Sequence, residues 1–367
     1  MNRHSISSLN IALLYVGTLM GAGFASGREI WQFFSVFGKY SYPAVLMVTM
    51  LFILFGLMTV KISIALDTTE IGKVIMPFAH KGMEKLLGSI TAVILFLVYI
   101  VMAAAGGALF QEQFGFHRII GGSLLMVLVL ATVLGGFERI SKYFRLIIPI
   151  LLLIVFFVCF NIIFRDLPVS HLPVKLKISP MAPSWYTAAV IYISYNMLAG
   201  IPILANSTQR ARTHPGAFLG AAAGGILLGF SAFIMNRAML SDPGISSGSL
   251  LPILSLAGKL NPVLLWTYAA LLLFAVYASA SSNFYGFTTM LKDDTSKKYK
   301  IIGTAFIGFL LSLLGFGNII AFILPLEGYC GILFLLLMTV NYIRIATGHR
   351  SVNMELTQYS EENNKHE

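Results

Sequence analysis

Charge is what this chain has least of. Asp, Glu, Lys and Arg make up 11% of its 367 residues, against about a quarter in a water-soluble globular domain. With 57% AVILMFWYC and a mean hydropathy of +0.83, a soluble fold is excluded and lipid becomes the solvent. Cysteine is nearly missing too. Cys159 and Cys330 each sit in an apolar stretch, which gives neither a disulfide scaffold nor a metal cluster. Histidine is missing from bilayer depth: His4, His80, His117, His171, His214, His349 and His366 all fall in loops, tails or span ends. Without a zinc-binding, acyl-transfer or aspartyl-dyad pattern no enzyme and no cofactor is expected. A repeated filter loop or ring of charge is also lacking, which argues against a channel. The balance of +10 does not point to nucleic acid, because basic residues clustered in short loops are what a bilayer protein carries on its cytoplasmic side.

Long charge-free runs and 33 glycines are what the chain does have. A hydrocarbon core about 30 Å thick takes roughly 20 apolar residues per helix, and the runs predict ten spans near 9–34, 42–66, 88–111, 118–137, 144–164, 185–207, 214–236, 262–290, 300–315 and 318–344. Lipid satisfies no backbone polar group, so the fold is expected to be an all-α integral membrane protein. Residues 22–27 are small, as at a signal-peptide cleavage site, but the apolar Ile30-Trp31-Gln32-Phe33-Phe34 that follows reads as a continuing helix. With the N-terminus inside, seventeen Lys and Arg fall on inner segments and seven on outer loops. That bias places a multi-pass protein in the cytoplasmic membrane with both termini in the cytoplasm. Residues 1–350 form one transmembrane domain and 351–367 a polar tail. Between spans two and three, Glu70 to Leu87 reads as an interfacial amphipathic helix.

Ten spans divide into two fives, inverted because five is odd, about 9–165 and 185–346. Pro149 and Pro325 stand 176 residues apart, and the same shift carries Gly21–Gly27 onto 197–203, which holds Gly200 and Pro202. Helix one packs four glycines into Gly17–Gly27, costly in a helix interior at roughly 1 kcal/mol each. Helix six carries Pro202, which lacks an N–H and opposes the carbonyl four residues back. Both are expected to be broken near the midplane, where unwound backbone is tolerable only against a protein cavity. The alternative is that such glycines merely let helices pack, which is the reading for Gly216, Gly220, Gly224 and Gly229 of helix seven.

At these residues the chain resembles LeuT-fold transporters of the amino acid–polyamine–cation (APC) superfamily. It is more closely similar to the YkvI-type bacterial membrane proteins, through the run Gly21-Ala22-Gly23-Phe24-Ala25-Ser26-Gly27-Arg28-Glu29. The resemblance implies a symporter for a small amino acid or similar zwitterion, driven by Na+ or H+. It implies solute contacts at Gly21, Ala22, Gly23, Ser26 and Gly200, and a sodium site formed by Gly17, Met20, Ala275, Ser279 and Ser282. Ala278 stands where sodium-driven relatives carry a hydroxyl. Read from the residues, Ser279 and Ser282 serve equally well as helix-interface hydroxyls. Tyr192, Tyr195 and Asn196, beside the second break, suggest an aromatic subsite. A non-transporting nutrient receptor on the same fold is the alternative.

Arg28, Glu29 and Glu327 are the charges within spans, and intramembrane charge marks a pathway or a pair. The expectation is an Arg28–Glu327 gate across helices one and ten. A second reading makes Glu327 a proton carrier.

Overall fold

The computed structural model describes residues 5–77, 81–135, 137–165, 168–174, 176–292 and 294–348. The expected polar tail at 351–367 lies outside them. The chain opens with three short helices, α1 (Ser8–Leu19), α2 (Ala22–Ala25) and α3 (Arg28–Phe33), then a 3₁₀ turn at Ser35–Tyr40. It continues through α4 (Ser41–Ala65), α5 (Ile71–Ile75), α6 (Lys81–Phe114), α7 (Arg118–Gly135) and α8 (Phe137–Phe164). After a long connection come α9 (Trp185–Gln209), α10 (His214–Ser241), α11 (Pro243–Gly248), α12 (Pro252–Leu260), α13 (Pro262–Thr289), α14 (Lys297–Ser312) and α15 (Phe316–Ala346).

Seven of these, counting α4 with its preceding turn, are long and apolar enough to cross a membrane: α4, α6, α7, α9, α10, α13 and α15. Two shorter apolar helices, α1 and the Pro149–Phe164 part of α8, accompany them. Leu46, Met50 and Leu54 form a stripe on α4 and Leu219 and Ile226 stand on α10, each at least half exposed. Side chains of that kind at one-turn spacing are stable outward only against lipid. Helix starts follow from local chemistry. Thr213, Asp242 and Asn261 each accept an amide of the turn they begin, and a proline follows within two residues.

Helix one is interrupted as expected, and twice. The amide of Met20 closes α1 on Val16 and the next helical bond runs from Ala25 to Gly21. The carbonyls of residues 17–20 and the amides of residues 21–24 therefore fall outside either ladder. The second interruption is at Gly27, whose φ of 83° is left-handed and suits glycine alone without strain. Here every carbonyl finds a partner: Ser26 Oγ donates to Gly23 (2.7 Å), the Ile253 amide to Ser26 (3.1 Å), and the Tyr268 hydroxyl to Ala25.

Helix six is not broken, contrary to expectation: α9 runs from Trp185 through Pro202 to Gln209 without a gap. A proline removes one ladder bond and its φ is helical, so neighbours can hold the helix. The neighbours here are α4 and α15, packed along α9, while a capping box of Ser184 and Thr187 fixes its start. Leu198, Ala199 and Pro202 line the cavity described below, so this stretch of α9 borders open space rather than lipid. The interfacial helix also shrinks. α5 spans only five residues, Met76 and Pro77 leave the helix, residues 78–80 lie outside the described set, and Lys81 already belongs to α6.

Helix packing is reciprocal. α1 lies on α10 and α4 on α9; α6 meets α14 and α13 meets α7; α4 meets α10 and α6 meets α13. Glycines on α10 let α1 approach. A Cβ on Gly220 would stand 2.7 Å from Ile11 Cβ and 2.8 Å from the Ser8 carbonyl, and one on Gly224 2.7 Å from the Tyr15 ring. Gly220→Val and Gly224→Val should each lower stability by about 1–3 kcal/mol through overpacking, seen as a reduced Tm of the detergent-solubilised protein. Gly303→Ala, where nothing lies within 4 Å, should leave Tm unchanged or slightly raised.

Candidate functional site

A cavity of about 970 Å³ enters the helix bundle alongside α1. Its lining begins at Ile6, Asn10 and Ile71, near the face that carries the N-terminal segment, and reaches Glu29 and Glu327. Thr18, Ala199 and Ser282 are exposed within it. Asn10, Leu14, Gly17, Thr18 and Gly21 give one wall, Tyr195, Asn196 and Pro202 of α9 a second, and Ala278, Ser279, Ser282 and Asn283 of α13 a third. The first interruption of α1 therefore opens into the cavity, with Gly21 facing Ser279: a Cβ there would meet the Ser279 hydroxyl at 4.0 Å.

The floor is polar. Tyr195 donates to Glu29 Oε2 at 2.8 Å, and both carboxylates are buried, Glu29 at 8% and Glu327 at 3% exposure. Behind the floor lies an aromatic plug. The Tyr192 ring is edge-on to Phe33 (5.5 Å), Phe34 (4.8 Å) and Tyr195 (5.3 Å), and Phe33, Phe34 and Tyr192 are each at most 1% exposed. The cavity is thus approached from one face and stopped before the other.

Of the expected solute contacts, Gly21, Gly23, Tyr195 and Asn196 line the cavity. Ser26, Tyr192 and Gly200 do not: Ser26 bonds Gly23 and the Arg28 amide (3.2 Å), Tyr192 belongs to the plug, and Gly200 packs under Tyr15 and Leu19. The backbone of Ala22 opens α2 beside Gly21. Of the expected sodium ligands, Gly17, Ser279 and Ser282 line the cavity, whereas the Met20 and Ala275 side chains are buried in the core. Asn283, which the sequence reading overlooked, donates to the Ser279 carbonyl at 2.8 Å and its hydroxyl at 3.4 Å.

The Arg28–Glu327 pair is not formed. Arg28 lies in a separate pocket of about 280 Å³ with Gln32, Leu250 and Gly317, and its guanidinium donates to the Ser249 carbonyl at 3.0 Å. The reason is Gly27: with its left-handed turn, α3 starts in a new direction, and Glu29, not Arg28, faces the cavity and Glu327. Arg28 instead joins a second cluster. Glu112 of α6 accepts from the amides of Leu250 (2.5 Å) and Leu251 (3.2 Å) and the Ser249 hydroxyl (2.9 Å), capping the entry to α12. One helix farther, Asp242 accepts from the Ser170 amide (3.1 Å) and hydroxyl (2.5 Å) and the Ile245 amide (3.2 Å), and pairs with Lys259. These clasps tie the connection before α9, the α11–α12 corner and α6 into one sealed face. The Asp242-Pro243 pair carries a helix-start signal that would have located the second of them.

No known family model matches the chain. Its sequence is similar to the uncharacterized membrane protein YkvI of Bacillus subtilis (strain 168), 25% identical over 91% of this chain and 96% of that protein. It is also similar to the uncharacterized protein YyaD of the same organism, 24% identical over 86% of this chain and 91% of that one. Among solved structures, MhsT in complex with L-phenylalanine matches with a TM-score of 0.61 and 17% identity, over 94% of this chain and 90% of MhsT. The inward-facing conformation of Mhp1, a nucleobase-cation-symport-1 family transporter, matches at 0.64 and 12%, over 92% and 76%. At these identities the likeness establishes the fold: this all-helical chain shares the LeuT-type architecture of those transporters.

Burial pushes the Asp242 carboxyl up, but Lys259, the Ser170 hydroxyl and the amides of Ile245 and Ser170 outweigh it and hold the group below the usual range. A carboxyl depressed on folding contributes stability that is present above its unfolded value, about 3.9, and is lost as pH falls through the folded one. Acidification through and below about pH 4 should therefore loosen this clasp. Tm measured against pH should fall less steeply there in Asp242→Asn than in the native chain.

Proposed function

We propose that the chain is a secondary transporter working by alternating access, which moves a small amino acid or similar zwitterion across the cytoplasmic membrane under a sodium or proton gradient. One observation carries this: the first interruption of α1 lies on a cavity lined from the N-terminal face and closed at the opposite one. Peptide groups released from a ladder in the middle of a bilayer need a partner that lipid does not supply. A bound solute supplies it. A cavity served from one side at a time is what alternation requires.

The reading rests on α1 alone, since α9 is continuous. Reciprocal packing, α1 on α10 as α4 on α9 and α6 on α14 as α13 on α7, supports ten spans arranged as two inverted fives. With the N-terminal face cytoplasmic, as the Lys and Arg distribution favours, the cavity opens inward. Gly17, Ser279 and Ser282 are the groups proposed for sodium, and Gly21, Gly23, Tyr195 and Asn196 those for the solute.

The test is uptake into sealed proteoliposomes across a panel of amino acids, with the sodium and proton gradients imposed separately. Accumulation above the external concentration is expected for at least one solute, and binding without accumulation would identify a receptor instead. Gly21→Ala should keep most of the transport, because its Cβ meets nothing closer than the Ser279 hydroxyl at 4.0 Å. Gly21→Leu should abolish transport at unchanged Tm by filling the cavity at the interruption.

A further inference from the structure

The floor of the cavity carries a second inference, which deepens the transporter reading. Glu29 of α3 and Glu327 of α15 both line it, and among the described residues no Lys, Arg or His does. The Glu29 carboxylate lies against Gly23, leaving no room for a Cβ there, and accepts one hydrogen bond, from Tyr195. Glu327 Oε1 is buried without a hydrogen-bond partner.

The surrounding elements offer no compensating charge among the described residues. α9 contributes only Tyr192 and Tyr195. Arg28 is engaged at Ser249 in the other pocket. Tyr99 of α6 donates to the Ala305 carbonyl, Lys61 of α4 is exposed, Lys73 of α5 pairs with Glu70, and Arg237 of α10 bonds Ser241 at the surface. Two unpaired carboxylate charges taken out of water together cost several kcal/mol each. A positive charge has to enter with them.

We infer that Glu29 and Glu327 form a subsite for positive charge, which a proton fills in the empty cavity and the protonated amine of the solute fills on binding. The exchange balances: an R–NH3+ arrives, the carboxyl O–H bond breaks, and its proton leaves to water. The buried charge is the same before and after. The cavity that holds the pair is also lined by the apolar Leu14, Val98, Val101, Leu324 and Phe334, so the class of solute favoured is an amine with an apolar body. The coupled proton is then exchanged for the amine, not carried beside it.

The experiment needs no transport. Purified full-length protein in detergent, in weak buffer with a pH indicator, is titrated with 2-phenylethylammonium chloride, with 2-phenylethanol and sodium chloride as controls. Proton release approaching one per amine bound is expected, together with affinity that falls about tenfold per pH unit under acid conditions where the proton competes. Neither control should release protons. Glu29→Gln and Glu327→Gln should each weaken amine binding by roughly thirtyfold or more and reduce the release.

Failure of the amine to bind, binding without release, undiminished release in both variants, or equal release by sodium chloride would each overturn the inference. The native-protein arm stands even if a variant fails to fold. Exchange in detergent with no flux in proteoliposomes would retire the transporter reading and leave the subsite standing, while accumulation with no proton release would do the reverse.

Discussion

Everything in this molecule is arranged around peptide groups that lipid cannot satisfy. An uninterrupted helix carries its own partners across the bilayer, and the first span gives that up at Met20–Gly21, between α1 and α2, and again at Ser26–Gly27, between α2 and α3. The two interruptions are resolved differently. At the second, a serine hydroxyl, a tyrosine hydroxyl and a backbone amide from α12 close on the carbonyls of Gly23, Ala25 and Ser26, and the backbone is sealed inside protein. At the first, Gly17 and Gly21 face open volume. One break is closed within the protein and the other borders the cavity.

That difference organises the faces. On the sealed side, Glu112 and Asp242 collect six hydrogen bonds from serines and amides between them, besides the Lys259 ion pair, and an aromatic plug fills the space above Glu29. On the side of the N-terminal segment the cavity wall is built from side chains that leave Thr18, Ala199 and Ser282 exposed. The acids follow the same division. Those on the sealed side are surrounded by donors, whereas Glu327 at the cavity floor has an unpartnered oxygen. Polar groups of the first kind hold a structure together, and those of the second kind are the ones on which the inferred subsite rests.

Much of this was legible in the residues, because composition and run length report directly on solvent and span, and because four glycines in Gly17–Gly27 have no purpose in a plain helix. What failed to read shares one cause, the dependence of a local feature on distant neighbours. Pro202 looks like a break until α4 and α15 are packed along α9, with the cavity bordering the helix at that turn. Arg28 and Glu327 look like partners until the left-handed Gly27 turns α3, after which it is the adjacent Glu29 that faces Glu327. A change of direction at a single residue cannot be projected forward from periodicity. Asn283 went unnoticed because its role is to bond Ser279 one turn earlier on the same helix, a pairing that no motif in the sequence marks.

Among the described residues, the segment that precedes α1 is fastened to the rest at Ile6. Ile6 gives its amide to the Arg210 carbonyl at 2.9 Å and takes the Arg212 amide at 3.1 Å, a bridge to the turn between α9 and α10. Two such bonds are worth on the order of 1 kcal/mol each in net terms. Ile6 also packs against the core, so this bridge links the start of α1 to the α9–α10 corner. Because α1 is also packed on both α9 and α10, the mouth of the cavity is bordered there by one joined unit, and widening it would break this bridge and those helix contacts together.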